Sequence, residues 1–238
     1  MLKDIGEENL HLRTPVTEII QTPFGVTAVT SAGRFSASRM IVTAPPAVCT
    51  DIKFDPPLSA GRQDLHERFR PGTVIKVYVL YDKWWWREKG LSGELLTDTE
   101  PVTLAYDATT EKVPGFIGFI PAHLAKKWGE VSGEELKKAI TKQFVENFGP
   151  DAANPRDIII RPWMADETSS KGAYAGSMPT NCLSVHGSIL RAPHKRVHFA
   201  CTELAKDWAG YFEGAIESAE SVAAEVLAHH KTVNRAKL

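Results

Sequence analysis

Arg196-Val-His-Phe-Ala-Cys-Thr-Glu203, followed by Trp208-Ala-Gly-Tyr-Phe-Glu-Gly-Ala-Ile216, reads as a short strand, a tight turn and a helix starting at Gly210. The start of a helix leaves backbone N–H groups without intrahelical partners and carries the positive end of the helix dipole. Such a corner suits an anionic phosphate or the electron-rich edge of a ring. The helix that follows carries Phe212, Ala215, Ile216, Ala219, Val222, Ala223, Val226 and Leu227 at helical spacing, a stripe that must pack on a sheet or another helix.

Upstream of this corner the chain alternates strands and helices. Val16–Ile20, Val26–Thr30 and Met40–Thr43 are rich in β-branched residues and separated by turns holding Pro23, Gly25 and Gly33, which predicts a three-stranded meander stopped by Pro45-Pro46. Thr73–Tyr81 is almost continuously apolar or β-branched, the pattern of a central strand buried on both faces. Val102–Tyr106 and Gly115–Ile120 fit further strands. Ser132-Gly-Glu-Glu135 is a capping box, and Leu136, Ala139, Ile140, Phe144 and Phe148 continue it at helical spacing until Gly149-Pro150. The expected class is α+β (mixed α/β), a mixed sheet backed by helices.

Composition excludes several roles. The 238 residues suffice for one large domain or two small ones with a proper core. A net charge of −1 gives no electrostatic case for nucleic acid or an anionic membrane surface. No apolar run approaches the roughly 18 residues of a membrane span, and no signal peptide is evident. Cys49, Cys182 and Cys201 form no CxxC pair, and an odd count argues against a disulfide framework. The histidines show no metal-ligand spacing, so no metal is expected, and His229-His230 read as a surface pair near a helix end. GxGxxG, P-loop, HExxH and GxSxG motifs are absent from these residues.

Some residues stand out chemically. Lys76 lies inside an apolar strand, where a charge is costly unless paired or functional. Read alone, it snorkels to the sheet edge, meets a buried carboxylate, or serves a reaction. Tyr174, in a Gly-rich stretch, and Tyr211, at the helix start, read alone as ordinary half-buried tyrosines, and Trp163 as a core aromatic. Trp84-Trp85-Trp86 suggests core or surface and carries no functional reading.

Taken in order, a set of stretches resembles the C-terminal half of the flavin-dependent amine oxidases of the monoamine and polyamine oxidase type. They are Leu12–Val16; Ile41–Pro46 with Phe54–Leu58; Gly72-Thr-Val-Ile-Lys76; Gly172-Ala-Tyr174; and Phe199–Glu203 with Trp208–Gly214. The resemblance implies a β-meander of the FAD lobe over 1–58, a substrate-binding lobe over 59–162, and a return to the FAD lobe over 163–238. It implies that Lys76 holds a water used in flavin reoxidation, and that Tyr174 and Tyr211 form an aromatic cage guiding a neutral amine to the flavin. Val16, Trp163, Glu203, Tyr211 and Phe212 fall at cofactor-contacting positions. Ala173 stands where some relatives carry a cysteine joined to the flavin, so FAD binding is expected to be non-covalent. Cys201 stands where the family usually has glycine, whose freedom permits close backbone approach.

The implied reaction is oxidative deamination of a primary or secondary amine to imine and aldehyde, with hydrogen peroxide as co-product. The alternative is a non-catalytic isolated lobe, truncated paralogue or partner subunit. The family's FAD-binding βαβ unit, with its GxGxxG, lies upstream of anything in these 238 residues. The chain alone is therefore expected to hold FAD weakly. Its first-lobe strand and last helix are expected to show an unpaired edge and an uncovered apolar stripe. The expected partners are an amine substrate and either a second copy or a flavin-binding half. The terminal Ala236-Lys-Leu238 resembles a peroxisomal address of the Ser-Lys-Leu type, implying a peroxisomal location in a eukaryote and a cytoplasmic one otherwise.

Overall fold

The computed structural model describes residues 2–111, 113–166 and 169–235, with 230–235 described by backbone alone. The chain forms two compact units: residues 1–70 with 175–238, and residues 71–174.

The first unit opens with α1 (Leu2–Ile5), β1 (Val16–Gln21), β2 (Val26–Thr30), β3 (Gly33–Ala37), β4 (Met40–Val42), α2 (Pro46–Cys49), β5 (Lys53–Asp55) and α3 (Ala60–Arg68). The short β6 (Arg70–Pro71) marks its exit. The second unit holds β7 (Val74–Leu80), α4 (Trp85–Glu88), β8 (Leu95–Leu96), β9 (Leu104–Asp107), β10 (Gly115–Pro121), α5 (Ala122–Gly129), α6 (Gly133–Phe148) and β11 (Asp157–Pro162). The chain then returns to the first unit with β12 (Gly176–Ser177), α7 (Cys182–Leu190), β13 (Val197–Phe199) and α8 (Phe212–Arg235).

In the first unit a meander forms, antiparallel in the order β3-β2-β1, but its third strand is Gly33–Ala37 rather than the expected Met40–Thr43, which leaves for another sheet, and β5 adds in parallel to β1. Its first turn is closed by Thr22, whose hydroxyl accepts from the Phe24 and Gly25 N–H groups at 3.2 Å. β13 runs parallel to β4, with Val197, His198 and Phe199 opposite Met40, Ile41 and Val42. The strand expected to show an unpaired edge thus has a partner on one side, and all three of its residues are buried.

In the second unit the sheet order is β11-β7-β10-β9-β8. A mixed sheet was expected here, but every pair is antiparallel. A short connection turns β9 back into β10, and α5–α6 return the chain to the far edge as β11. β7 is central as expected, yet only one of its faces is closed. Ile75, Val77 and Val79 are buried, while Lys76, Tyr78 and Leu80 are half-exposed. The closed face packs on α6, whose cap forms as the sequence reads: the Ser132 hydroxyl accepts from the Glu135 N–H at 3.2 Å. Its core is aromatic. Phe116 meets Trp86 at 4.1 Å and Phe144 at 5.4 Å between ring centres. Trp85 and Trp86 belong to this core and Trp84 stays 48% exposed, which accounts for the tryptophan run.

The unit boundaries fall at 70/71 and 174/175, against the expected 58/59 and 162/163. Residues 60–68 side with the first unit because α3 packs on α7, where the buried Arg62 guanidinium caps the α7 end by donating to the Ile189, Leu190 and Ala192 carbonyls. Residues 163–165 side with the second unit because they turn against β7.

The last helix begins at Phe212 rather than Gly210. Its packed face is Gly214, Ser218 and Val222, so of the expected apolar stripe only Val222 is buried. The reason is close approach: a Cβ at Gly214 would overlap the Trp208 carbonyl, so small residues face inward. Phe212, Ile216 and Leu227 are exposed, as the expectation of an uncovered stripe required. Among the described residues no helix is long and apolar enough to cross a membrane, and no group of three or more His, Cys, Asp or Glu side chains could hold a metal ion. Ala236-Lys-Leu238 and the side chain of His230 lie outside the described residues.

Candidate functional site

Strand register decides which side chains share the open face of the second unit's sheet. Lys76 lies directly opposite Phe119 on β10 and Arg161 on β11, and Phe119 lies opposite Leu104 on β9. Tyr78, Ile117, Tyr106 and Ile159 form the next row on the same side. The Lys76 Nζ sits 5.7 Å from the Phe119 ring centre and 5.8 Å from that of Tyr174. The two rings lie edge-to-face at 5.7 Å, and Tyr106 extends the row at 6.5 Å from Phe119. Lys76 is therefore half-buried between aromatic faces rather than enclosed in a core. Partial burial first, then the neighbouring Tyr106, pushes the Tyr174 phenol up to about 12.

Two glycines place Tyr174 there. The Ala173 N–H donates to the Gly72 carbonyl at 2.9 Å. A Cβ at Gly72 would overlap the Ala173 carbonyl oxygen, and one at Gly172, with φ at +148°, would overlap the Gly72 carbonyl. Only bare backbone lets the Gly172–Tyr174 loop lie against the start of the lysine-bearing strand. The Ala173–Tyr174 peptide is cis. Trp163 is half-buried, with the Arg161 guanidinium 5.2 Å over its ring and its own Nε1 buried without a hydrogen-bond partner.

The first unit gathers Glu203, Tyr211 and Phe212 at the strand–turn–helix corner. Thr202 ties this corner shut: its hydroxyl donates to the Tyr211 carbonyl and accepts from the Gly210 N–H, both at 2.8 Å. Glu217 accepts from the Lys206 and Asp207 N–H groups at 2.9 and 3.2 Å. Arg191 donates to the Leu204 and Ala205 carbonyls at 2.6 and 2.7 Å. So held, Tyr211 is 65% and Phe212 86% exposed, with Trp208 edge-to-face on Tyr211 at 5.8 Å. Glu203 is 7% exposed; one carboxylate oxygen accepts from the Gly176 N–H at 2.9 Å, and the other is buried without a partner. Val16 is half-buried at the start of β1, just before a register irregularity toward Glu18.

Cys201 does not need the glycine the family usually has. Its φ of −160° and ψ of 170° are ordinary extended backbone. Burial first, then the Glu203 charge, raises its thiol, which makes it an inert side chain rather than a nucleophile.

Each unit, taken by itself, offers groups that suit a flavin. The partnerless Glu203 oxygen calls for a hydroxyl donor, such as a ribityl chain carries, and the partnerless Trp163 N–H calls for an acceptor. The start of α8 offers N–H groups to negative charge. Sequence reasoning overlooked Phe119 and Tyr106. Their signal is the alternation in Leu104–Asp107 and Gly115–Pro121, which names one face but leaves the register open.

Residues 1–227 match the model of the family described as flavin containing amine oxidoreductase. A probable flavin-containing monoamine oxidase A of Dictyostelium discoideum is 38% identical over 229 residues, 95% of this chain and 50% of that protein. The flavin-containing amine oxidase B of Sus scrofa is 34% identical over 95% of this chain and 44% of its own length. Among solved structures, cyclohexylamine oxidase from Brevibacterium oxydans superposes with a TM-score of 0.91 at 31% identity, covering 97% of this chain and 51% of that one. The chain thus spans about half the length of the relatives it matches. With the aromatic-flanked lysine, the two-glycine contact and the corner all present, the chain belongs to the flavin-containing amine oxidoreductase family.

Proposed function

We propose that these residues supply the substrate wall and the late flavin contacts of an FAD-dependent amine oxidase. A primary or secondary amine loses two electrons and two protons to give an imine, water releases the aldehyde, and dioxygen takes the electrons to give hydrogen peroxide. FAD, when bound, supplies the two-electron acceptor. The observation that carries this reading is the Lys76–Phe119–Tyr174 group on the open sheet face.

In this reading Phe119, Tyr106 and Tyr174 pack the alkyl or aryl part of the amine, and Tyr211 supplies the other side of the cage. Lys76 holds a water by donating from its ammonium, ready for the oxidative half of the cycle. With FAD bound, Glu203 would accept from hydroxyls of the cofactor, Val16, Trp163 and the Phe212 backbone would hold the rest, and the start of α8 would favour negative charge on the reduced ring. Ala173 offers no thiol, so attachment is non-covalent. These residues contain no GxGxxG, so the chain by itself holds FAD weakly. In a eukaryote Ala236-Lys-Leu238 would favour a peroxisomal setting, where peroxide is consumed, and otherwise the setting is cytoplasmic.

The test is FAD titration followed by visible absorbance and anaerobic mixing with primary amines such as putrescine and cyclohexylamine. Stoichiometric flavin on the chain alone would overturn the weak-binding statement. Flavin-loaded protein that no amine bleaches would overturn the oxidase reading.

A further inference from the structure

His198 sits at the centre of β13 with 1% of its surface exposed, and no part of the proposed chemistry uses it. The charged and titratable groups that face it come from two directions. Arg39, in the turn before β4, places Nη1 3.1 Å from the His198 Nε2. From α8, the Glu225 Oε2 lies 3.3 Å from Nδ1, and the His229 ring centre is 6.1 Å away. The His229 Nε2 is itself 4.0 Å from Glu225.

This geometry fixes the tautomer. A guanidinium only donates, so the His198 Nε2 must carry a lone pair, and the ring proton must sit on Nδ1, facing Glu225. Nδ1 faces the Glu225 carboxylate at contact distance without a well-aligned hydrogen bond, so the neutral imidazole links Arg39 to α8 by a hydrogen bond on one side and an electrostatic contact on the other. A second proton can enter only at Nε2, where it would point at an N–H of Arg39 and break that bond. Burial, the largest effect, lowers the ring's proton affinity; the Glu225 carboxylate opposes it, and the Arg39 and His229 charges reinforce it to a lesser degree.

We propose that the Arg39–His198–Glu225 bridge is a proton-sensitive latch that holds α8 on β13 and releases it on acidification. α8 packs on the strand that buries His198, so lifting α8 admits water to the ring and removes the burial that opposes its protonation. Opening is thereby coupled to one proton. The sign follows from linkage: a histidine with lowered affinity in the closed state stabilises that state above its ordinary pKa of 6.5, and this is lost as pH falls below it. Below about 6.5 the opening constant should rise up to tenfold per pH unit, until the closed state itself protonates. α8 begins beside Tyr211 and Phe212, so release would loosen the same corner, although the latch does not rest on the proposed reaction.

The test is native-state hydrogen exchange of the α8 amides between Gly214 and Val226 in the whole chain across pH 5 to 7.5, corrected for intrinsic exchange. The opening constant should climb steeply with acid in the native protein. His198→Gln keeps an acceptor for Arg39 but cannot titrate, and should flatten the slope; His229→Gln should leave it intact. If His198→Gln does not fold, Glu225→Gln serves instead, because losing the supporting carboxylate should move the midpoint lower. A slope that survives His198→Gln, follows His229, or keeps its midpoint in Glu225→Gln would overturn the latch.

Discussion

Replacing Gly72 with alanine tests whether bare backbone contact places Tyr174 beside Lys76. The added methyl would overlap the Ala173 carbonyl oxygen and lie 2.7 Å from its carbon and 3.0 Å from the Tyr174 nitrogen. Gly72 is not among the glycines with positive φ, so alanine suits its backbone and the cost is steric. Crowding of this kind costs about 1–3 kcal/mol, and parting the chains loses the 2.9 Å bond from the Ala173 N–H, worth about 1 kcal/mol. Stiffening the unfolded chain returns about 0.4–1 kcal/mol. The expected net loss is about 1–3 kcal/mol if the loop stays docked. If instead the loop lifts, global stability falls less, because the penalty cannot exceed the free energy of docking. In that case the Ala173 amide loses its exchange protection and the Tyr174 phenol falls from about 12 toward its ordinary 10. Urea unfolding, amide exchange and an ultraviolet titration of tyrosine read the two responses together. An alanine variant with unchanged stability, unchanged Ala173 protection and unchanged Tyr174 titration would refute the argument.

Other outcomes follow from single side chains. In flavin-loaded protein, Lys76→Met should slow reoxidation by oxygen far more than it weakens amine binding, measured by rapid mixing; unchanged oxygen kinetics would remove Lys76 from that role. Asp107 accepts from Arg87, Trp86 and the Thr109 N–H at 2.6, 2.9 and 2.8 Å. Burial works against its charge, but these donors prevail and hold the carboxyl well below its ordinary 3.8. Asp107→Asn should therefore cost about 1–3 kcal/mol near neutrality, and the gap from the native protein should close as pH falls below about 4; a gap that persists in acid would show that charge is not its source. Burial pushes the Cys49 thiol up to about 12, so maleimide should label it at pH 8 only as fast as the first unit opens. Labelling at the rate of a free thiol would contradict its buried place.

The legible parts of the chain were those in which local pattern and tertiary demand coincide. Thr73–Tyr81 declared the central strand, Ser132–Glu135 the helix start, and Arg196–Ile216 the corner, because β-branched runs and caps act over a few residues. The face of α8 was not legible in this way. Periodicity chose Phe212, Ile216 and Leu227, but the Trp208 carbonyl comes so close that glycine is needed at 214, and the buried Ser218 and Val222 continue that face. Phe119 and Tyr106 escaped notice because a strand names its two faces, while the partner strands decide which face meets which residue. The burial expected of Lys76 failed for a related reason: an unbroken apolar run does not show that Lys76, Tyr78 and Leu80 lie on the half-exposed side of their strand.

That open side has an electrostatic consequence for the proposed reaction. Lys76 and Arg161 stand directly opposite each other across β7 and β11, an unfavourable pairing of like charges. Arg161 is drawn off by the Trp163 ring at 5.2 Å and by Asp166 at 3.9 Å, while Lys76 keeps the faces of Phe119 and Tyr174. The rings that would otherwise attract an ammonium are therefore already engaged by one. A protonated amine brought within 4 Å of the Lys76 ammonium would meet a repulsion of about 4 kcal/mol at an effective dielectric of about 20, roughly a thousandfold in affinity. The uncharged amine escapes that penalty and still gains the aromatic packing. An amine must lose its α-carbon hydrogen and electrons from the neutral form, because the nitrogen lone pair stabilises the imine that forms. If the proposed reaction holds, the arrangement that leaves Lys76 between two rings would favour the form of substrate that can react.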